Sequence, residues 1–137
     1  MSGGSIFIAL AGAQLALLSL LGLNTSLTRG KFKVPGAYDE KDEKYARLYA
    51  AQRAHGNQSE WGPAFAVMFL GCHLVGDAPA WVSAVAVWAT AGRILMSYAL
   101  AFTESLKKPT LLRRIGGLST YLTGTSLSLY LVSTYWN

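Results

Sequence analysis

The chain has 137 residues, 52% of them hydrophobic and only 14% charged, with a formal net charge of +5 and a mean hydropathy of +0.30. An ordinary soluble domain carries about 25% charged residues, so the composition excludes that class and describes an integral membrane protein of one domain. A nucleic-acid role is excluded by placement, because the Lys and Arg residues other than Arg53 and Arg93 flank apolar segments and so report topology.

The first apolar segment, residues 5 to 28, contains FIALAGAQLALLSLLGLNTSL and meets the roughly 20 residues that a bilayer requires. No basic region precedes it and no small-residue cleavage site follows, so it reads as a retained helix and not as a signal peptide. Asp39, Glu40, Asp42 and Glu43 favour a helix amino end, and the second helix is expected over about 44 to 75. The Gly76-Asp77-Ala78-Pro79 turn breaks it. A third span follows at 81 to 103, interrupted by Arg93, then a loop at 104 to 109. The fourth span covers 111 to 135, with Arg113 and Arg114 in its first turn. Short connections make this an all-α protein whose simplest architecture is an antiparallel four-transmembrane-helix bundle.

Charge placement orients the bundle. Arg29, Lys31, Lys33, Lys41, Lys44 and Arg47 lie between helices one and two, and Lys107, Lys108, Arg113 and Arg114 between three and four. The amino terminus, the turn at 76 to 80 and the tail carry neither Lys nor Arg. Both basic loops are therefore expected on the cytoplasmic side and both termini opposite.

The most informative motif is RAHGNQSE, from Arg53 to Glu60, which runs directly into an uncharged apolar stretch. On an α-helix Arg53, Asn57 and Glu60 stand at i, i+4 and i+7, so a guanidinium, an amide and a carboxylate share one stripe. Ionisable groups at membrane depth cost about 2.5 to 3.5 kcal/mol each on insertion scales and face a bundle interior, a cavity or each other. The stripe is a ligand site or a structural ion pair, with Arg93 a further partner for Glu60 in the second case.

These segments resemble the MAPEG superfamily, the membrane-associated proteins of eicosanoid and glutathione metabolism. The resemblance rests on RAHGNQSE, on GRILMSY at 92 to 98 and on LRRIG at 112 to 116, and it covers about Tyr45 to the end. The RAH-x-N-x-x-E and GR-x-L-x-x-Y forms are most similar to the type three microsomal glutathione transferase branch. The resemblance implies a homotrimer with glutathione between subunits near the cytoplasmic side, acting as a transferase or peroxidase on lipophilic electrophiles or lipid hydroperoxides, without a metal. It implies that Arg53, Asn57 and Glu60 hold glutathione, with Arg29, Arg93 and Tyr98 contributing, and that Arg113 or Arg114 faces the sulfur. The position two residues beyond Tyr98, usual for a second tyrosine, holds Leu100. The endoplasmic reticulum or another organelle membrane is the implied location.

The chemistry is consistent with the residue types. Glutathione carries two carboxylates, an ammonium and a thiol, so its site needs guanidinium groups, one carboxylate and a cation near sulfur to favour the nucleophilic thiolate. Duller roles stay open: an interhelical hydrogen bond for His55, packing for Cys72, positive-inside anchoring for Arg113 and Arg114, close helix approach for the Gly, Ser and Thr residues after Gly116. Two other functions also stay open, a lipid-binding member without catalysis and an accessory subunit of a larger membrane complex.

Overall fold

A computed structural model describes residues 3–34, 37–103 and 108–136. Among them are four α-helices, α1 (Gly3–Lys31), α2 (Ala46–Val75), α3 (Ala80–Ala101) and α4 (Leu111–Tyr135), and a single 3₁₀ turn at Glu43–Tyr45. Residues 104–107 of the expected loop, Lys107 among them, lie outside the described residues.

The boundaries differ from the sequence expectation where local bonds intervene. Helix α1 continues three residues past Thr28, and Arg29 and Lys31 in its last turn suit the negative end of the helix dipole. Helix α2 starts at Ala46 because the acidic stretch is used for a cap: the Asp42 carboxylate accepts from Lys44 N at the 3₁₀ turn. Helix α3 stops at Ala101, not 103, where Arg47 Nη1 donates to the Ala101 carbonyl at 2.7 Å and satisfies one of the helix's last acceptors. Gly76 ends α2 at φ 80°, a conformation that glycine adopts without a Cβ penalty. Thr110 caps α4, its hydroxyl accepting from Arg113 N. Thr110→Ala should lower stability by about 1 kcal/mol, to be read as a small fall in melting temperature in detergent.

In the connector after α1, the Tyr38 hydroxyl bonds to Gln52 Oε1 on α2. Burial, and then the nearby Glu40 carboxylate, raise the Tyr38 pKa above its ordinary value, keeping the phenol protonated as a donor.

The helices alternate in direction. Helix α1 packs mainly on α2 and α3 mainly on α4, with α2 and α3 meeting in the middle; the backbones of α1 and α4 make no close approach among the described residues. One apolar cluster gathers Phe7 and Ala11 from α1, Phe65, Phe69 and Cys72 from α2, Val82 and Ala86 from α3 and Leu127 from α4. A smaller one at the opposite end joins Leu21, Ala54, Leu100 and Ala101. Cys72 is thus a packing residue, free and buried.

Between the clusters the interior is polar while the outer surface is apolar. Gln14 and Gln58 are fully buried and Arg93 is 1% exposed, whereas Leu20 is 63% and Leu74 77% exposed. Water would favour the reverse; a hydrocarbon surround favours this distribution, since buried polar groups must find partners inside the protein. Helices α1 and α3 are each long and apolar enough to cross a membrane. Helices α2 and α4 are comparably long, but RAHGNQSE and the Ser and Thr residues of α4 dilute their apolar character.

Candidate functional site

The polar belt is one connected hydrogen-bond network drawing on all four helices. Arg93 on α3 is its centre. The Arg93 Nε and Nη2 both donate to Gln58 Oε1 at 3.0 Å. Nη2 also reaches Asn57 Oδ1 at 2.7 Å and the Asn57 carbonyl at 3.0 Å, and Nη1 reaches Thr120 Oγ1 at 3.3 Å. The Gln58 amide in turn donates to Gln14 Oε1 at 3.0 Å and to the Gln14 carbonyl at 3.2 Å. Gln14 Nε2 donates to Thr90 Oγ1 at 3.2 Å, and that hydroxyl donates to the Ala86 carbonyl.

Each hydrogen-bond acceptor of the buried guanidinium is a neutral oxygen. The carboxylate of Glu60 acts on Arg93 electrostatically without being one of its hydrogen-bond acceptors. A simple Arg93–Glu60 ion pair is therefore not how this chain stabilises its buried cation. Three amide oxygens and a hydroxyl do so, and the five donors of a guanidinium suit that shared load better than an ammonium would.

The close fit of α2 around the network depends on Gly62, since a Cβ there would lie 2.6 Å from Gln58 Nε2. Helices α3 and α4 approach at Gly92 and Gly116, where a Cβ on Gly92 would lie 2.3 Å from Ser119 Oγ. This is the close approach that small residues allow between membrane helices. The Ser119 hydroxyl in this interface, and the Ser97 hydroxyl elsewhere on α3, are buried and have no hydrogen-bond partner among the described residues.

The expected site residues separate into two groups. The antiparallel order brings the carboxyl ends of α1 and α3 and the amino ends of α2 and α4 to the same end of the bundle, and with them Arg29, Arg53, Tyr98, Arg113 and Arg114. Asn57 is joined directly to Arg93. Arg53 and Glu60, in contrast, are exposed on the outside of α2 and Asn57 is half-buried between them, so the stripe faces outward from the bundle. Arg29 and Arg113 are half-buried and Arg114 is exposed. Tyr98 is 56% exposed and packs its ring 4.9 Å from Phe102, which lies 5.0 Å beneath the Arg47 guanidinium. Five residues along a helix turn about 140° away, so the geometry does not bring Tyr98 to Arg93; Leu100 is buried in the smaller core cluster.

Gln14, Gln58, Thr90 and Thr120 escape a sequence reading that weighs charges alone. A signal for two of them exists, since Gln14 is an amide within the apolar run from Ile6 to Leu18 and Gln58 adjoins Asn57. An unpaired amide in hydrocarbon is costly as well, and it too must find a partner.

Beside the stripe, an open groove of about 750 Å³ runs between α2 and α4, lined by Trp61, Pro63, Val67, Tyr121, Thr125 and Leu129 among others. Trp61 and Tyr121 meet edge to face across it, with ring centroids 5.3 Å apart. Its lining starts one residue beyond Glu60, at Trp61.

The family model described as MAPEG family matches residues 7–133. No curated protein and no solved structure matches the chain.

Proposed function

The chain belongs to the MAPEG family, and from that premise we propose that it is a glutathione-dependent membrane transferase or peroxidase acting on lipophilic electrophiles or lipid hydroperoxides. The observation that carries the reading is the outward stripe of α2: exposed Arg53 and Glu60, with Asn57 between them tied to the buried Arg93. Charged groups on the outside of a membrane helix need a cover or a polar ligand. A second subunit and a zwitterionic peptide supply both.

In this reading all four helices span the endoplasmic reticulum or another organelle membrane, both termini face away from the cytoplasm, and three subunits enclose the ligands at their contacts. Arg53 takes a carboxylate of glutathione by charge-assisted hydrogen bonds, and Glu60 takes its ammonium. Arg29 adds positive charge at the mouth. Arg113 or Arg114 stabilises the thiolate, which attacks an electrophilic carbon and displaces its leaving group, or attacks a hydroperoxide oxygen. The second route breaks the O–O bond to release the alcohol and leaves a glutathione sulfenic acid, which a second glutathione converts to the disulfide and water. The groove beside Trp61 suits the apolar body of that co-substrate, arriving sideways from the bilayer. No metal enters this chemistry.

The test is glutathione binding to the detergent-purified protein, read by calorimetry and by the ultraviolet thiolate band. Wild type is expected to bind with a thiolate signal, and Arg53→Ala to bind about tenfold or more weakly, the scale of a lost hydrogen bond to a charged group. A well-folded wild type that binds no glutathione would overturn the reading and direct attention to protein partners in a larger membrane complex.

A further inference from the structure

The hydrogen bonds of the polar belt have a direction, and Arg93 sets it. A guanidinium only donates, so the atoms it touches on Asn57 and Gln58 must be the amide oxygens, which removes the usual freedom to exchange amide O and N. With its oxygen committed to Arg93, Gln58 has only its NH₂ for Gln14, and it meets the Gln14 oxygen. Gln14 then has only its NH₂ for Thr90, and Thr90 donates onward to Ala86. Every amide from α1 to α3 is oriented by the one cation.

The same logic runs outward. Asn57 Oδ1 is held at 2.7 Å by Arg93 Nη2. Its Nδ2 therefore points away from the guanidinium, toward the stripe. That nitrogen has no acceptor among the described residues and is not among the buried unpartnered atoms, so it opens to the surface between Arg53 and Glu60. A buried cation bonded to the carbonyl of an amide also polarises its N–H groups, as in any hydrogen-bonded chain at low dielectric.

We propose that Arg93, held in place by Gln58 and Thr120, is a positioning residue that presents Asn57 to the stripe as a donor only, so that the centre of the stripe takes a carboxylate of the ligand and rejects its ammonium. This rests on the glutathione reading and deepens it. The ammonium is left to Glu60, the only acidic side chain of α2, so a zwitterionic peptide has one orientation along the helix. Gln14, Gln58 and Arg93 touch no ligand in this scheme; Gln58, itself bonded to Gln14, holds the guanidinium, and Arg93 acts through Asn57.

The experiment combines two measurements on the full-length protein in detergent. The first is thermal stability of wild type, Asn57→Asp and Gly62→Ala. An aspartate at position 57 accepts from Arg93 with a full charge, so N57D is expected to melt no lower than wild type; G62A, which crowds Gln58 Nε2, is expected to melt lower. The second is affinity for glutathione and for its two carboxylate monoesters, in wild type, Asn57→Asp and Asn57→Leu. N57D is expected to bind glutathione at least about tenfold more weakly, since an anionic acceptor replaces the two N–H donors. One monoester is expected to bind more weakly than glutathione to wild type, with that penalty vanishing in N57L, an outcome that mere unfolding does not produce. The other monoester, which blocks the carboxylate that Arg53 holds, is expected to bind more weakly to wild type and N57L alike. Unchanged or tighter glutathione binding by N57D, or both ester penalties persisting in N57L, would overturn the proposal. If wild type binds no glutathione the functional reading fails by itself, and the melting comparison then decides: N57D melting below wild type would overturn the orientation assigned to Asn57.

Discussion

Arg93→Met is expected to cause the largest loss of stability of any single substitution in the polar belt. The guanidinium makes five hydrogen bonds, to Gln58, Asn57 and Thr120, and Met fills much of its volume while satisfying none of them. Interhelical hydrogen bonds in membranes average about 0.6 kcal/mol each, so these bonds together amount to about 2 to 3 kcal/mol. Orphaned amide oxygens in an apolar interior add to that. Arg93→Lys should fall between, because one ammonium cannot serve acceptors on two residues of α2 and one of α4 with the geometry of a planar fork. Thermal unfolding in detergent, followed by helical signal and by retention of a monodisperse species, measures both. A melting temperature equal to or above that of wild type for R93M would mean that burying an uncompensated cation costs more than its bonds return, and that Arg93 is retained for the ligand site at the expense of stability.

Gly116→Ala is the second large expected effect, and its neighbour supplies the control. A Cβ on Gly116 would lie 2.9 Å from both N and Cβ of Met96 and 3.0 Å from the Gly92 carbonyl oxygen. Those are largely backbone atoms of α3, which cannot rotate away, so the helices must separate. Overpacking of this kind costs about 1 to 3 kcal/mol, against a gain of about 1 kcal/mol from replacing Gly by Ala in a helix. The separation also stretches the Arg93–Thr120 bond, 3.3 Å long, so ligand affinity should fall with stability. A Cβ on Gly117 would meet nothing within 4 Å, and Gly117→Ala should keep only the propensity gain. Equal melting temperatures for G116A and G117A would show that α3 and α4 do not meet as closely as described.

Three features of the fold follow from the order of residues alone. The helices exist because apolar segments of sufficient length are separated by Gly76-Asp77-Ala78-Pro79 and by basic connectors, and local breakers and chain length decide that much. The positions of Arg53, Asn57 and Glu60 on one stripe follow from the helical repeat, which needs no knowledge of neighbours. The alternation of helix direction, and hence the gathering of Arg29, Arg53, Arg113 and Arg114 toward one end, follows from short connections.

What faces what is a matter of tertiary packing. Gln14, Gln58 and Arg93 lie 44 and 35 residues apart in successive bonds, and no local pattern couples them. They meet because each is a polar residue near the middle of the bundle, and a membrane interior leaves such groups no partner except one another. The outward direction of Arg53 and Glu60, the surface position of Tyr98 and the end of α3 at Ala101 are likewise consequences of which helix face is occupied by a neighbour. Membrane class, helices and the spacing of the stripe are written in the residue order, since they depend on hydropathy and on bonds between residues close along the chain. That Arg93 is held by neutral amides and that Asn57 turns its nitrogen to the stripe are not written there, because donor and acceptor geometry across four helices is fixed when the helices pack and not before.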